Sequence, residues 1–168
     1  MRADAFERLW ESHAKQLMGF LVYRTGDVPL AEDLVAQTFE KVLRSRRQFD
    51  PRKGSEKNWI YAIALNLLRD RERRRSAETR ALQRVGAPED MAEESSFTEG
   101  IEARDAIARA LAKLTAEERE AVALRFGADM TVPEVARVLG EPLKRVEGRV
   151  LRALRKLREE IPPESMRG

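Results

Sequence analysis

Phe49-Asp50-Pro51-Arg52-Lys53-Gly54-Ser55-Glu56-Lys57-Asn58-Trp59-Ile60-Tyr61-Ala62-Ile63-Ala64-Leu65-Asn66-Leu67-Leu68-Arg69-Asp70-Arg71-Glu72-Arg73-Arg74-Arg75 reads as a Pro/Gly loop leading into one long helix. Ile60, Ile63, Ala64 and Leu67 recur at helical spacing and predict a buried stripe. About half a turn away lie Asn58, Ala62, Asn66, Arg69 and Arg73, a small, amide-rich and cationic stripe. Amides can hydrogen-bond base edges, and arginines can hold phosphate or guanine. Trp59 and Tyr61 flank the stripe, where they could stack on unpaired bases. Taken alone, the pattern also describes a solvated basic helix with a core tryptophan.

Working outward toward the N-terminus, strand signals are nearly absent and helical periodicity dominates. A first helix is expected over about residues 4–24, with Phe6, Leu9, Trp10, Leu17, Phe20 and Leu21 as its apolar face. Gly26-Asp27 ends it. A second helix is expected over about 29–47, capped near Asp27, with Pro29 in its first turn. Leu34, Val35, Thr38, Phe39 and Val42 form its core face, while Asp33, Gln37, Glu40 and Arg44 point outward. The opening stretch is the third helix, extended to about residue 84. Helices of this length can close a small core.

Composition then changes abruptly. Residues 86–96 are acidic and small and contain no basic residue, which reads as a flexible linker extended by self-repulsion. Helical signals resume after about residue 101, with Ile107, Leu111 and Leu114 marking one helix. Thr115-Ala116-Glu117-Glu118 is a capping-box pattern opening a helix expected to bury Val122, Leu124 and Phe126. Thr131-Val132-Pro133-Glu134 is a second capping box, opening a short helix that carries Val135, Ala136, Val138 and Leu139. Gly140 supplies a left-handed stop. A longer helix follows over about 142–160, with Leu143, Val146, Val150, Leu154 and Leu157 as its buried stripe, and Pro162-Pro163 stops it. Short helix, glycine turn and longer basic helix are the pattern of a helix-turn-helix. Its outward face offers Arg145, Gly148, Arg149, Arg152, Arg155 and Lys156 to a major groove and its phosphates.

The fold class expected is therefore all-α, with two small helical domains joined by an acidic flexible linker. The boundaries are 1–84, 85–100 for the linker, and 101–168. The chain has no cysteine, which excludes disulfides and thiolate metal sites, and a single histidine, His13. Neither a nucleophile–base pair, a metal-ligand cluster nor a phosphate-cradling glycine loop stands out, so no catalytic residue, metal or cofactor is expected. No apolar run approaches the roughly 20 residues a membrane span requires. The first residues lack the apolar core of a signal peptide, and a cytoplasmic location is expected. Net charge is only +3, but opposite signs are segregated along the chain, and local fields steer partners.

With these motifs in place, the chain resembles the sigma-70 family of bacterial transcription initiation factors, and most closely the small extracytoplasmic-function (ECF) class that keeps only regions two and four. Residues 31–39, Ala-Glu-Asp-Leu-Val-Ala-Gln-Thr-Phe, are similar to the family's region 2.2, which docks on core RNA polymerase. Phe49-Asp50-Pro51 and the stretch from Trp59 through the arginine run resemble regions 2.3 and 2.4, which melt the minus-10 element and hold its non-template strand. Residues 114–122 and the helix-turn-helix resemble region four, which reads the minus-35 duplex. The resemblance implies core-polymerase contacts from Glu32, Asp33, Gln37 and Glu40. It implies minus-10 contacts from Arg52, Lys53, Asn58, Trp59, Asn66, Arg69 and Arg73, and minus-35 contacts from Lys144, Arg145, Gly148, Arg149 and Arg152. It also implies an anti-sigma factor as a partner, and no enzymatic activity in the chain itself. Where the family usually offers lysine and serine in the recognition helix, Glu147 and Gly148 stand here, which implies weak duplex binding by the free protein. The rival readings are an autonomous helix-turn-helix regulator and a decoy that titrates an anti-sigma factor.

Overall fold

The computed structural model describes residues 3–84, 106 and 109–161. The expected linker over 85–100, Ile107 and Pro162-Pro163 lie outside them. Among the described residues all regular structure is helical: α1 (Ala3–Thr25), α2 (Val28–Ser45), α3 (Glu56–Arg84), α4 (Ala116–Val122), α5 (Val132–Leu139) and α6 (Leu143–Glu160). A 3-10 turn, Arg46–Gln48, follows α2 where the sequence predicted that the helix would continue to 47.

Local chemistry sets the ends. The Asp27 carboxylate accepts from the Leu30 amide at 3.0 Å, with Pro29 in the first turn of α2. The Ser55 hydroxyl accepts from the Asn58 amide at 3.1 Å and so caps α3. Both predicted capping boxes form, Thr115 with Glu118 and Thr131 with Glu134. Gly140 closes α5 at φ 67° and ψ 33°. A Cβ there would meet no atom within 4 Å, so the cost of a side chain lies in the backbone alone. Gly140→Ala should cost about 1–2 kcal/mol. A fall in thermal midpoint of several degrees, read by calorimetry, is the expected result; no change would mean that the turn relaxes to another geometry.

The first three helices close one core. Leu9, Leu17, Phe20 and Leu21 of α1, Leu34, Val35, Phe39 and Val42 of α2, and Ile60, Ile63, Ala64, Leu65 and Leu68 of α3 are buried. Phe6 and Trp10 meet Phe39 edge-on, at centroid distances of 6.1 and 4.8 Å. Thr38, mid-helix and fully buried, donates its hydroxyl to the Leu34 carbonyl at 2.6 Å, so its polar atom is satisfied in the core.

In the C-terminal unit, Val135, Ala136, Val138 and Leu139 of α5 pack on Val146 and Val150 of α6. Leu114, Val122 and Ala153 form a smaller cluster beside them. The units are in contact. Leu124, Ala128, Met130 and the α5 residues belong to the same apolar cluster as the three-helix core.

Of the expected apolar positions, Leu67, Leu154 and Leu157 are only half-buried, and four aromatic or apolar residues depart further from expectation. Tyr61 is fully buried against Phe20, at 5.3 Å, because the apolar arc of α3 is wider than the stripe read from the sequence; it cannot stack on a base. Trp10 lies on the rim and is exposed, although its edge touches Phe39. Phe126 is exposed because residues Ala123–Gly127 form a π-helical turn that shifts the register, and Arg125 lies over its ring at 5.0 Å. Leu143, the first residue of α6, is exposed because its turn precedes the packed stretch.

Candidate nucleic-acid interface

At 29 residues, α3 runs about 43 Å. Its first half is core, and its second half is exposed and basic. Where the two halves meet, an open cleft of about 880 Å³ is lined by Asn66, Arg69, Asp70, Glu72, Arg73, Ser76 and Arg80, with Lys41 arriving from α2. Asn66 and Arg73 are exposed, and Arg73 pairs with Asp70 one turn back. The cleft combines an amide with cations from two helices, so it can grip phosphates while leaving an amide to a base edge. Lys41 and Arg80 had not been expected here. Arg80 continues the α3 stripe, whereas Lys41 belongs to another helix and no α3 periodicity could have found it.

The remaining minus-10 candidates sit at the N-terminal end of α3. Lys53, Asn58 and Trp59 line a second pocket of about 170 Å³, together with Phe49, Asp50, Gly54, Ser55 and Ala62. Trp59 is half-buried against Phe49, at 5.2 Å. The other wall is Arg137 and Val138 of α5. Asn58 is buried there. Glu134 of α5 has its carboxyl held below the usual range: burial pushes it up, but hydrogen bonds from the Asn58 side chain and from Thr131 outweigh that effect. Arg52 lines neither cavity; it stands in solvent and pairs with Asp50 at 3.2 Å. The hydrogen bond from the Arg52 amide, and after it that side-chain contact, hold the Asp50 carboxyl below its ordinary value. The sequence-predicted stripe is thus split, with Asn66, Arg69 and Arg73 in one cleft and Asn58 and Ala62 in another.

On α2, Glu32, Asp33 and Glu40 are exposed and Gln37 is half-buried, all on the side away from the core. Glu40 pairs with Arg44 at 2.7 Å. Asp33 accepts from Gln37 at 3.3 Å and pairs with Arg71 of α3. Sequence reasoning missed Arg71, which lies outside the stripe that was followed. An acidic surface remains, anchored by one cation from the neighbouring helix.

On α6, Lys144, Arg145, Glu147 and Arg152 are exposed and Gly148 is half-exposed. Among the described residues a Cβ on Gly148 would meet only the Arg152 guanidinium, at 3.2 Å, so none of the others requires glycine there. Arg149 does not join them. Its side chain is 7% exposed, and it pairs with Glu141 at 2.6 Å and Glu117 at 3.5 Å.

A helix-turn-helix with a basic outer face, carried beside a separate amide-and-arginine cleft, has the chemistry of a DNA-binding protein. The Sigma-70 region 2 model matches residues 9–78 and the Sigma-70, region 4 model matches residues 110–159. The chain belongs to the sigma-70 family, and it is a sigma factor of the ECF class, acting in transcription initiation. RNA polymerase sigma factor CarQ of Myxococcus xanthus is 33% identical across 93% of this chain and 88% of its own length. ECF RNA polymerase sigma factor BldN of Streptomyces coelicolor is 30% identical across 97% of this chain, which spans only 62% of that relative. ECF RNA polymerase sigma factor RpoE of Cereibacter sphaeroides is 28% identical, over 94% of this chain and 86% of the relative. Among solved structures, CnrH in complex with the cytosolic domain of CnrY matches with a TM-score of 0.66 at 29% identity, covering 93% of this chain and 86% of that one. The sigma factor RpoE in complex with the anti-sigma factor NepR from Bartonella quintana matches with a TM-score of 0.75 at 24% identity, covering 94% and 96%; at that identity the likeness speaks for the fold alone.

Proposed function

We propose a division of labour among the surfaces. The acidic face of α2 (Glu32, Asp33, Gln37, Glu40) docks core RNA polymerase. The α3 cleft and the loop before it (Arg52, Lys53, Asn58, Trp59, Asn66, Arg69, Arg73) hold the opened non-template strand of the minus-10 element. The exposed face of α6 (Lys144, Arg145, Gly148, Arg152) reads minus-35 duplex. The observation that carries this reading is the α3 cleft, where an exposed amide and guanidinium sit together at the point where the packed half of the helix gives way to its exposed, basic half. The chain itself performs no chemical step; the polymerase makes the phosphodiester bonds. It works in the cytoplasm, and among the described residues no helix is long and apolar enough to cross a membrane. An anti-sigma factor is a fitting partner: the similar CnrH is solved in complex with a second protein, the cytosolic domain of CnrY.

Reconstituted transcription with core polymerase tests the whole reading. Promoter-dependent product supports it; duplex binding with no polymerase-dependent product supports an autonomous regulator. Asp33→Arg tests the docking face. Polymerase affinity should fall about tenfold or more, as charge reversal at an interface commonly costs over 1.4 kcal/mol. Stability should change little, because exposed ion pairs contribute about 0–1 kcal/mol. Arg71→Ala removes the same ion pair and keeps the carboxylate, so it should retain docking. Equal losses in both variants would assign Asp33 to helix packing.

A further inference from the structure

One buried polar contact between the two units is a carboxylate among guanidinium groups. Glu120 of α4 has a side chain 10% exposed. One of its oxygens accepts from Arg24 Nε at 2.9 Å, and the other from Arg69 at 3.1 Å. Arg24 lies in the last turn of α1, Arg69 lines the α3 cleft, and Glu72 pairs with Arg24 at 3.0 Å. Two cations from the first unit are therefore balanced by Glu72 of their own unit and Glu120 of the other. The units also meet where the Gln16 side-chain amide donates to the Gly127 carbonyl at 3.3 Å, and where Arg137 and Val138 of α5 wall the Trp59 pocket.

Without α4, Arg24 and Arg69 keep one carboxylate between them and carry a net positive charge at the edge of the α3 cleft, which Arg69 itself lines. Two guanidinium groups converging on one small anion are the geometry that recognises a phosphodiester as readily as a carboxylate. We infer that Arg24 and Arg69 form a phosphate site for the captured DNA strand, and that Glu120 occupies it whenever the two units are docked. This rests on the reading of the α3 cleft as a strand-binding surface and adds Arg24 to it. Docking and strand capture are then mutually exclusive, since one pair of cations serves both. Held within one chain, the carboxylate competes at an effective concentration on the order of millimolar, enough to exclude a weakly bound strand. The same docking walls the Trp59 pocket with Arg137 and Val138, so the second unit engages the first at both cavities, through Arg69 at the cleft and through α5 at the pocket.

The test uses the full chain and a fluorescein-labelled single-stranded DNA of random sequence, followed by anisotropy at several salt concentrations. Small-angle scattering on the same samples reports whether the units separate. Glu120→Gln removes the competing charge at nearly constant shape and should tighten strand binding about tenfold, the scale of one hydrogen-bonded charge contact. Adding Arg24→Gln to Glu120→Gln should abolish that gain and reduce the salt slope by about 0.7, one phosphate contact on a single strand. If scattering shows Glu120→Gln expanded while strand affinity and slope stay at wild-type values, Arg24 and Arg69 are not a phosphate site and the inference falls. If Asn66→Ala weakens strand binding while none of the Glu120 and Arg24 variants alters it, this inference alone fails. Should Asn66→Ala also leave binding unchanged, the strand-binding reading of α3 fails with it.

Discussion

Asn66→Ala and Arg73→Ala should each slow promoter opening by roughly 5- to 150-fold, the equivalent of 1–3 kcal/mol per captured base. Both side chains are exposed in the α3 cleft, and neither packs in the core. The only described partner of Arg73 is Asp70 one turn earlier, and such i,i+3 pairs contribute a few tenths of a kcal/mol. Folding should therefore be nearly untouched, and the loss should appear in a kinetic step. Permanganate reactivity of unpaired thymines measures that step directly. A premelted template should restore most of the rate, since it removes the step in which the side chains compete with base pairing. Normal permanganate reactivity in both variants would return these residues to the bland role of a solvated helix face. Arg69→Ala is a poorer probe, because it also breaks the contact with Glu120 and so alters the docking of the units.

The elements were legible because their signals are local. A capping box, a proline in a first turn and a glycine stop each act within a few residues, and Thr115, Thr131, Pro133 and Gly140 all behave as their chemistry requires. Helical periodicity found most of the core for the same reason. It failed where position along a helix mattered more than phase. Trp10 has core spacing but lies at the rim, Leu143 lies one turn ahead of the packed stretch, and Phe126 falls in a π-helical turn that the 3.6-residue period does not describe. The site was only half legible. Asn66, Arg69 and Arg73 share one helix and could be read as a face, but Lys41, Arg71 and Arg24 reach their places through tertiary packing. No spacing rule within one helix links Arg24 to Glu120 across 96 residues.

Arg149 shows the limit of phase reading most sharply, and its replacement should be among the most damaging to the fold. The spacing Arg145, Gly148, Arg149, Arg152 suggests one outward face, yet at 100° per residue Arg149 lies at the edge of the buried arc of Val146, Val150 and Ala153. In the structure it turns inward. Its guanidinium pairs with Glu141, in the turn of the helix-turn-helix, and more distantly with Glu117 of α4. One side chain thus ties three elements together. Removing one partner of a fully buried pair costs about 3–5 kcal/mol, but Glu117 is largely exposed and Glu141 partly so, and about 2–3 kcal/mol is the better expectation. For a chain of this size that corresponds to a fall in thermal midpoint of roughly 4–12 °C. Lys144→Ala and Arg152→Ala, both exposed, should stay within about 0.5 kcal/mol of wild type. A double-mutant cycle between Arg149→Ala and Glu141→Ala isolates the pair and should give a coupling of about 1–2 kcal/mol, with weak dependence on salt because the contact is shielded from solvent. Duplex binding, measured above and below the lowered midpoint, separates the alternatives. If Arg149→Ala leaves the midpoint unchanged but weakens duplex binding at all temperatures, the guanidinium belongs to the minus-35 surface. If binding is lost only as the domain unfolds, its role is to hold the recognition helix at the angle from which Lys144, Arg145 and Arg152 can reach DNA.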